Sequence, residues 1–103
     1  MPGRIVTLSQ ILHARDVVAP RVHRTPILSS ATAARFVESA WGVRLGGGRL
    51  FLKAEHLQKT GSFKPRGMIA KVEALTPAER RVGIITLSAG NAGQAYAWAG
   101  RQA

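Results

Sequence analysis

The sequence predicts an α/β fold in which helices flank a parallel sheet, and two observations carry this prediction. Residues 50–103 alternate strand, helix, strand and helix patterns, the order that α/β proteins show. Residues 82–87 form an almost unbroken apolar run, as expected for a strand covered on both faces in a parallel sheet. We therefore expect residues 50–103 to form a βαβα segment.

The first helix is predicted within residues 8–22, whose apolar side chains recur at the spacing of an amphipathic helix. Thr7 or Ser9 is the expected N-cap, because a hydroxyl there accepts a hydrogen bond from first-turn N–H groups. The helix should end before Pro20, since the residue ahead of a proline avoids the α region. Residues 25–28 then indicate an extended segment.

A second helix is predicted over residues 30–38. Ser29 or Ser30 is its expected N-cap, and Gly42 is expected to end it. Trp41, near the end of this helix, and Trp98, far downstream, lie among apolar residues, so both are expected in the core.

Three consecutive glycines, residues 46–48, separate the short apolar runs 43–45 and 50–55. Two apolar runs around glycines predict a hairpin or a tight loop. A glycine triplet can also cradle phosphate through its N–H groups. We favour the hairpin or loop, because no helix start follows the triplet to add a positive dipole end.

Three helical stretches follow the strand predicted at 50–55. Residues 65–75 place apolar side chains on one face of a helix. Thr76 and Glu79 form a capping-box pattern with proline between them, which predicts a short helical turn. A last helix is expected to begin near Asn91 or Ala92.

Length and hydropathy indicate a globular chain. The 103 residues, of which 46% are hydrophobic, suit one folding unit or a piece of one. No run of about 18 apolar residues occurs, so no membrane span is expected. The N-terminal residues 1–6 lack a secretory signal pattern, which leaves the cytoplasm as the expected location.

The chain is strongly basic, with a formal net charge of +10, which would suit a polyanionic partner such as nucleic acid. The arginines are scattered, however, and only Arg80 and Arg81 are adjacent, so solvated surface charge is favoured over nucleic-acid binding. Cysteine is absent, which excludes disulfides and a thiol nucleophile. His13, His23 and His56 lack ligand-like spacing, so no metal site is predicted.

Lys64 is the first candidate for chemistry. Pro65 is well tolerated only in a first helical turn, so Lys64 should lie where a loop meets a helix. A lysine amine held there could attack a carbonyl group. Spacing alone leaves open that Lys64 is an ordinary solvated surface lysine.

Residues 88–94, Ser-Ala-Gly-Asn-Ala-Gly-Gln, are the second candidate. They follow the predicted buried strand and open a helix, and ligands of open α/β sheets bind beyond the carboxyl ends of strands. A carboxylate would suit the exposed N–H groups of a helix start. The alternative is a glycine-rich turn with Asn91 as an N-cap.

Together the two stretches resemble a known family. Residues 62–67, Ser-Phe-Lys-Pro-Arg-Gly, resemble the S-F-K-x-R-G signature of fold type II pyridoxal-phosphate enzymes, especially the threonine dehydratase and serine racemase branch. Residues 88–94 are similar to their S-A/S-G-N-x-G/A-Q loop, and the spacing between the two motifs suits the family. Residues 24–28 resemble its R-T-P-L segment, and residues 53–58 its K-x-E-x-L-Q strand end.

The resemblance implies roles for single residues in binding pyridoxal 5′-phosphate. Lys64 would bind the cofactor covalently through its amine, and Phe63 would pack close to it. Asn91 would donate a hydrogen bond to the 3-oxygen of the pyridoxal ring. The implied architecture is the N-terminal part of a tryptophan-synthase-β-like fold.

The resemblance also implies the substrate site and the reaction. Ser62, Ser88 and the backbone of Asn91 and Ala92 would hold the carboxylate of a small amino-acid substrate. Threonine or serine would undergo β-elimination to 2-oxobutanoate or pyruvate and ammonia, in amino-acid metabolism such as isoleucine biosynthesis. A serine or threonine racemase and a threonine-synthase-like enzyme are the alternatives within the family. A small basic nucleic-acid-binding protein is the alternative outside it.

Two departures from the family pattern bear on the reaction. Many relatives have histidine where this chain has Ala92, which alters the carboxylate pocket but keeps a backbone N–H. Racemases of the branch have a proton-carrying serine at the position of Ala89, so alanine favours elimination over racemisation.

The resemblance covers nearly all of residues 1–103 and implies that they are an incomplete N-terminal portion of a dehydratase catalytic domain. The family's glycine-rich phosphate loop and its partner for the pyridine nitrogen lie downstream of position 103. We therefore expect the isolated chain to be nearly inactive. A homo-oligomer is left open for a full-length protein.

Overall fold

The computed structural model describes residues 5–103. The expectation of no secretory signal rests partly on residues 1–4, which lie outside the described residues. The chain divides into two compact units. The smaller unit is Thr25–Glu55, and the larger one joins the N-terminal segment through Arg24 to His56–Ala103.

The smaller unit contains an antiparallel pair of strands and one helix. Strand β1 (Ile27–Ser30) pairs with strand β2 (Leu50–Lys53), with Ile27 opposite Lys53 and Ser30 opposite Leu50. Helix α2 (Ala31–Trp41) follows β1 directly. The Ser30 hydroxyl oxygen accepts a 3.0 Å hydrogen bond from the Ala33 N–H, which confirms the predicted N-cap.

The end of α2 is also as predicted, because Gly42 caps it in the left-handed conformation with φ 64°. The expected burial of Trp41 is wrong, since this side chain is 78% exposed. The smaller unit contains two short strands and one α-helix, which offer few groups that could cover a large ring.

The glycine triplet forms a tight 3-10 turn, Gly46–Gly48, and not the tip of a hairpin. Of the two alternatives predicted, the tight loop is confirmed. The hairpin is wrong because β2 pairs with β1, and residues 43–45 form no strand. The Glu38 carboxylate accepts a 2.8 Å hydrogen bond from the Leu45 N–H and thereby holds the chain between α2 and the turn.

In the described residues from 5 onward, the larger unit contains four α-helices: α1 (Leu8–Val18), α3 (Lys64–Glu73), α4 (Pro77–Val82) and α5 (Asn91–Gln102). Thr7 caps α1 and Thr76 caps α4, each in a capping box with the residue three positions later. These helices confirm the predicted caps and lie within about one turn of the predicted bounds. None of the helices in residues 5–103 is long and apolar enough to cross a membrane.

The core of the larger unit lies where α3 packs against α1 and α5. It contains Val18 from α1, Ile69 and Val72 from α3, and Ala99 from α5, with Trp98 packed against them. Ile69 and Ala99 have no exposed surface. Trp98 is half-buried and packs against this core, so its expected core position is confirmed in part. These contacts hold α3 along its apolar face.

The strand predicted at 82–87 is not formed. Helix α4 continues through Val82, and residues 83–87 form neither a helix nor a strand. Ile85 and Leu87 are fully exposed. A buried parallel strand needs hydrogen-bonded neighbours, and within residues 5–103 the sheet consists of β1 and β2 in antiparallel pairing. The predicted parallel sheet is thus not formed by the described part of the chain.

Candidate active site

A buried glutamine anchors the loop that leads to the predicted lysine. Gln58 is 4% exposed, and its side-chain nitrogen donates a 2.7 Å hydrogen bond to the His23 carbonyl oxygen. Its side-chain oxygen accepts 2.8 Å hydrogen bonds from the backbone N–H groups of His23 and Lys59. This amide therefore ties the start of the loop to the chain that follows α1.

The chain turns sharply between this glutamine and the lysine. The 3-10 turn Lys59–Gly61 packs against α5, and the Gly61 N–H donates a 2.9 Å hydrogen bond to the Gln58 carbonyl oxygen. Ser62 follows the turn and is 7% exposed. Its hydroxyl oxygen accepts a long, 3.4 Å hydrogen bond from the Lys64 N–H, so Ser62 contacts the first residue of α3.

Lys64 is the first residue of α3, as predicted, and Pro65 behind it is fully buried. This burial fixes the backbone that carries the lysine, while the lysine itself is partly exposed. The Lys64 ammonium lies 5.0 Å from the centroid of the Phe63 ring, within the range of a cation–π interaction. Phe63 is 61% exposed and therefore remains open to a further contact.

The second motif forms an exposed loop at the start of α5. The Ser88 hydroxyl oxygen accepts a 3.1 Å hydrogen bond from the Gly90 N–H. Gly90 is the N-cap of α5 and gives no side-chain hydrogen bond to it. Asn91 is the first helical residue, so the alternative in which its side chain is the N-cap is wrong. The first-turn N–H groups of α5 are therefore suited to an anion.

Gly93 lets the Ser88 segment fold closely onto the first turn of α5. A Cβ atom at Gly93 would lie 3.4 Å from the Ser88 Cβ and 3.6 Å from its hydroxyl oxygen. The close approach keeps the serine hydroxyl beside the helix start. This packing role was not predicted, although the glycine belongs to the recognised motif.

The two supporting motifs of the sequence meet in the smaller unit. Thr25 is 5% exposed, and its hydroxyl donates a 2.8 Å hydrogen bond to the Glu55 carboxylate. The Lys53 ammonium donates a 2.6 Å hydrogen bond to the Thr25 carbonyl oxygen. The polar residues of these motifs therefore hold each other in place, which spacing alone did not predict.

Among residues 5–103, the contacts found join Lys64 to Ser62 and Phe63, and Ser88 to Gly90 and Gly93. Among these residues, no hydrogen bond, ion pair or cation–π interaction joins Lys64 directly to the start of α5. Both motifs belong to the larger unit, where α3 packs against α5. The predicted roles of Ser62, Phe63, Lys64, Ser88, Asn91 and Ala92 stay predictions. Gln58 was not predicted as a site residue, although it is the last residue of the K-x-E-x-L-Q match.

Comparison with known proteins places this chain in a family. Residues 18–103 match the family described as pyridoxal-phosphate dependent enzyme. The serine racemase of Dictyostelium discoideum is 37% identical over 100 residues, covering 97% of this chain and 28% of that protein. The L-threonine ammonia-lyase of Thermotoga maritima is 38% identical over 95 residues, covering 92% of this chain and 21% of that protein.

Solved structures agree with this assignment. A pyridoxal 5′-phosphate-dependent aspartate racemase superposes with a TM-score of 0.76 at 40% identity, over 99% of this chain and 30% of its own. A T.th. threonine deaminase gives a TM-score of 0.69 at 40% identity, over 94% of this chain and 31% of its own. The chain thus spans less than a third of each of these relatives.

These neighbours are fold type II enzymes, which confirms the predicted fold family, and the family's cofactor is pyridoxal phosphate. The motif at Lys64 and the loop at Asn91 lie inside the matched residues. This chain belongs to the pyridoxal-phosphate dependent enzyme family.

Proposed function

We propose that this chain carries the cofactor lysine and the substrate loop of an ammonia-lyase that eliminates the β-hydroxyl of threonine or serine. The observation that carries the proposal is the placement of Lys64 at the start of α3, with Pro65 buried behind it and the Phe63 ring beside its amine. Relatives named L-threonine ammonia-lyase and L-threonine dehydratase support this reaction class.

The residues present fit pyridoxal phosphate. An aldehyde reacts with an amine, and Lys64 is partly exposed next to the fully buried Pro65. The exposed face of Phe63 offers an apolar contact. When bound, the cofactor acts as an electron sink for the negative charge that develops at the substrate Cα.

Lys64 has two roles in this proposal. Its amine would hold the cofactor covalently, and when free the same amine would accept the Cα proton of the substrate. Asn91 would help to hold the cofactor by donating its side-chain N–H to the 3-oxygen of the pyridoxal ring. The β-hydroxyl would leave as water, which balances the proton removed from Cα, and the resulting enamine would be hydrolysed with release of ammonia to give 2-oxobutanoate or pyruvate.

The start of α5 binds the substrate carboxylate. The helix has 12 residues and no side-chain cap, so its first-turn N–H groups, including those of Asn91 and Ala92, favour a negative charge. The Ser62 and Ser88 hydroxyls both accept hydrogen bonds from backbone N–H groups, which leaves each O–H free to donate to the carboxylate.

A racemase is the second candidate, because the serine racemase of D. discoideum is also similar to this chain. Ala89 argues against it, since a methyl group cannot carry a proton to the opposite face of the substrate Cα. Threonine-synthase-like chemistry and nucleic-acid binding have weaker support: the first from family membership alone, the second from charge alone. A cytoplasmic location, isoleucine biosynthesis and a homo-oligomer of a full-length protein accompany the proposal as expectations.

Trapping the cofactor on the chain tests the proposal. The chain is mixed with pyridoxal phosphate and reduced with borohydride, and the labelled lysine is identified by peptide mass spectrometry. We expect the label on Lys64, with loss in Lys64→Ala and retention in Lys71→Ala, a control in the last turn of the same helix. Labelling spread evenly over all four lysines would contradict the proposal.

Product assays then separate the reactions. A full-length protein containing this chain should form 2-oxobutanoate from L-threonine, whereas D-serine formed from L-serine would support the racemase. The 103 residues alone should turn over very little threonine, because the resemblance places the phosphate loop beyond them. Substantial turnover by the 103 residues would contradict that expectation while leaving Lys64 in place.

A further inference from the structure

One backbone carbonyl group holds the chain on both sides of Lys64. The His23 carbonyl oxygen accepts a 2.7 Å hydrogen bond from the side-chain nitrogen of Gln58. It also accepts a long, 3.4 Å hydrogen bond from the Arg66 guanidinium group. Gln58 lies six positions before Lys64 and Arg66 lies two positions after it. All four residues belong to the larger unit. The His23 backbone is therefore a shared anchor for the loop before the lysine and for the first turn of α3.

Gln58 is suited to this anchor because its amide group both donates and accepts hydrogen bonds. Its nitrogen donates to the His23 carbonyl oxygen, and its oxygen accepts a 2.8 Å hydrogen bond from the His23 N–H. The side chain thus pairs with both backbone groups of one residue, as a neighbouring strand does. The same oxygen accepts a 2.8 Å hydrogen bond from the Lys59 N–H. Gln58 is 4% exposed, so a side chain that lacks these groups would leave buried backbone groups unpaired.

Backbone hydrogen bonds connect the position of Gln58 to that of Lys64. The Gln58 carbonyl oxygen accepts a 2.9 Å hydrogen bond from the Gly61 N–H, which closes the turn. The buried Ser62 follows, and its hydroxyl oxygen accepts a hydrogen bond from the Lys64 N–H. This stretch is short, and Arg66 holds its far end to the same carbonyl group. A displacement of Gln58 would therefore tilt the stretch and change the direction in which the lysine side chain leaves the backbone.

We propose that Gln58 is a positioning residue for Lys64. Gln58 and Arg66 hold the chain on both sides of the lysine to His23, and these three residues form a clamp that directs the Lys64 amine toward a bound aldehyde. The inference rests on the proposed function, because Lys64 is taken as the cofactor lysine. The Gln58 side chain is buried and occupied by its three hydrogen bonds, so it acts through the lysine and not on the substrate.

The test removes each arm of the clamp with a side chain of similar length, in Gln58→Met and Arg66→Met. Gln102→Met and Arg101→Met are the matched controls, because both side chains are exposed at the end of α5. The first readout is the ratio of borohydride-trapped label on Lys64 to label on the other three lysines. We expect a fall of about tenfold in Gln58→Met and about threefold in Arg66→Met, because small misplacements of a reacting group reduce rates strongly. Both controls should keep the wild-type ratio.

The double variant shows whether the two arms act together. Gln58 and Arg66 donate to the same oxygen atom, so releasing one arm should remove most of the effect of the other. The double variant should therefore lose little more label on Lys64 than Gln58→Met alone. A fall equal to the product of the two single falls would show independent effects and would overturn the clamp.

The second readout needs no cofactor. The Phe63 ring shifts the NMR signal of the Lys64 ε-methylene protons, because the attached nitrogen lies 5.0 Å from the ring centroid. In both clamp variants this signal should move toward that of an exposed lysine, whereas a change that only destabilises the fold would leave it in place. Arg66 is half-buried, so Arg66→Met still gives an answer if Gln58→Met does not fold.

A wild-type label ratio in Arg66→Met, or in folded Gln58→Met, would overturn the inference. An unchanged Lys64 signal in both variants would overturn it as well. Even labelling of all lysines in the wild-type chain, together with a moved Lys64 signal in the variants, would instead overturn the proposed function and leave the clamp supported.

Discussion

Helix α3 and residues 83–87 lie in the same unit and are both rich in apolar residues, yet their environments are opposite. Ile69 and Val72 of α3 are 0% and 2% exposed, whereas Ile85 and Leu87 are fully exposed. The helix forms its backbone hydrogen bonds within itself and needs only another apolar face to pack against. A strand needs a neighbouring strand for every backbone hydrogen bond, and residues 83–87 have none among the described residues.

The difference teaches that an apolar pattern predicts burial only when the structure it favours can form. Amphipathic α3 finds α1 and α5 within the same unit. The pattern at 82–87 describes a strand inside a larger parallel sheet, and this chain spans less than a third of the relatives it resembles. Mutations in the two segments should therefore have very different effects.

The largest expected effect comes from truncating the core of α3. Ile69→Ala removes a side chain without exposed surface, so the free energy of unfolding should fall by about 2–5 kcal/mol, the range measured for such core changes. Ile85→Ala is the matched control and should change it by less than about 0.5 kcal/mol. Urea unfolding followed by circular dichroism measures both, and equal losses would show that residues 83–87 are buried in solution.

Hydrogen exchange should sharpen the same contrast without any mutation. Amides of Ile69 and Val72 lie inside a packed helix and should exchange at least about a hundredfold more slowly than those of Ile84 and Ile85. Exchange followed by NMR measures each amide. Slow exchange at 84 and 85 would indicate that this segment pairs with another strand, such as one from a second copy of the chain.

A smaller effect is expected from the cap of α4, the helix that leads into the exposed segment. The Thr76 hydroxyl oxygen accepts a 3.3 Å hydrogen bond from the Glu79 N–H, and the Glu79 carboxylate accepts a 2.8 Å hydrogen bond from the Thr76 N–H. Thr76→Ala should lower the free energy of unfolding by about 1 kcal/mol. Thr76→Ser, which retains the hydroxyl, is the control and should lose much less in the same urea titration.

The features predicted correctly from sequence are the local ones. Thr7, Ser30 and Thr76 act as caps, and Gly42 ends α2, because each signal lies within one helical turn of the bond it makes. The position of Lys64 at a loop-to-helix junction follows in the same way from the proline beside it.

The features that were missed depend on residues far apart in sequence. Strand β2 pairs with β1, so that Lys53 lies opposite Ile27. The glycine triplet had instead predicted that the run 50–55 pairs with the nearer run 43–45. The role of Gln58 depends on His23, 35 positions away. Spacing within a motif cannot reveal such a distant partner. The one available signal was that Gln58 is a polar residue inside the K-x-E-x-L-Q match, which could have marked it as a buried, hydrogen-bonded side chain.

The smallest expected effect is the pH dependence of the α4 cap. The backbone N–H and then the hydroxyl of Thr76 donate hydrogen bonds to the Glu79 carboxylate and hold its pKa below the usual value for glutamate. Because the pKa is lowered in the folded chain, the stabilisation is present above the ordinary glutamate pKa. It is lost as the pH falls through the lowered value. The carboxyl ¹³C shift of Glu79 should therefore titrate at lower pH in the folded chain than in urea.

Glu79→Gln tests whether this loss belongs to the cap. Glutamine can still accept the hydrogen bond from the Thr76 N–H, but it does not titrate, so this contribution to the acid dependence of unfolding should disappear. Acid should therefore unfold α4 from its capped end. Residues 83–87 carry no titratable side chain, so their amide exchange should change with pH only as the exchange of any exposed amide does. If Glu79→Gln keeps the full acid dependence, the α4 cap is not its source.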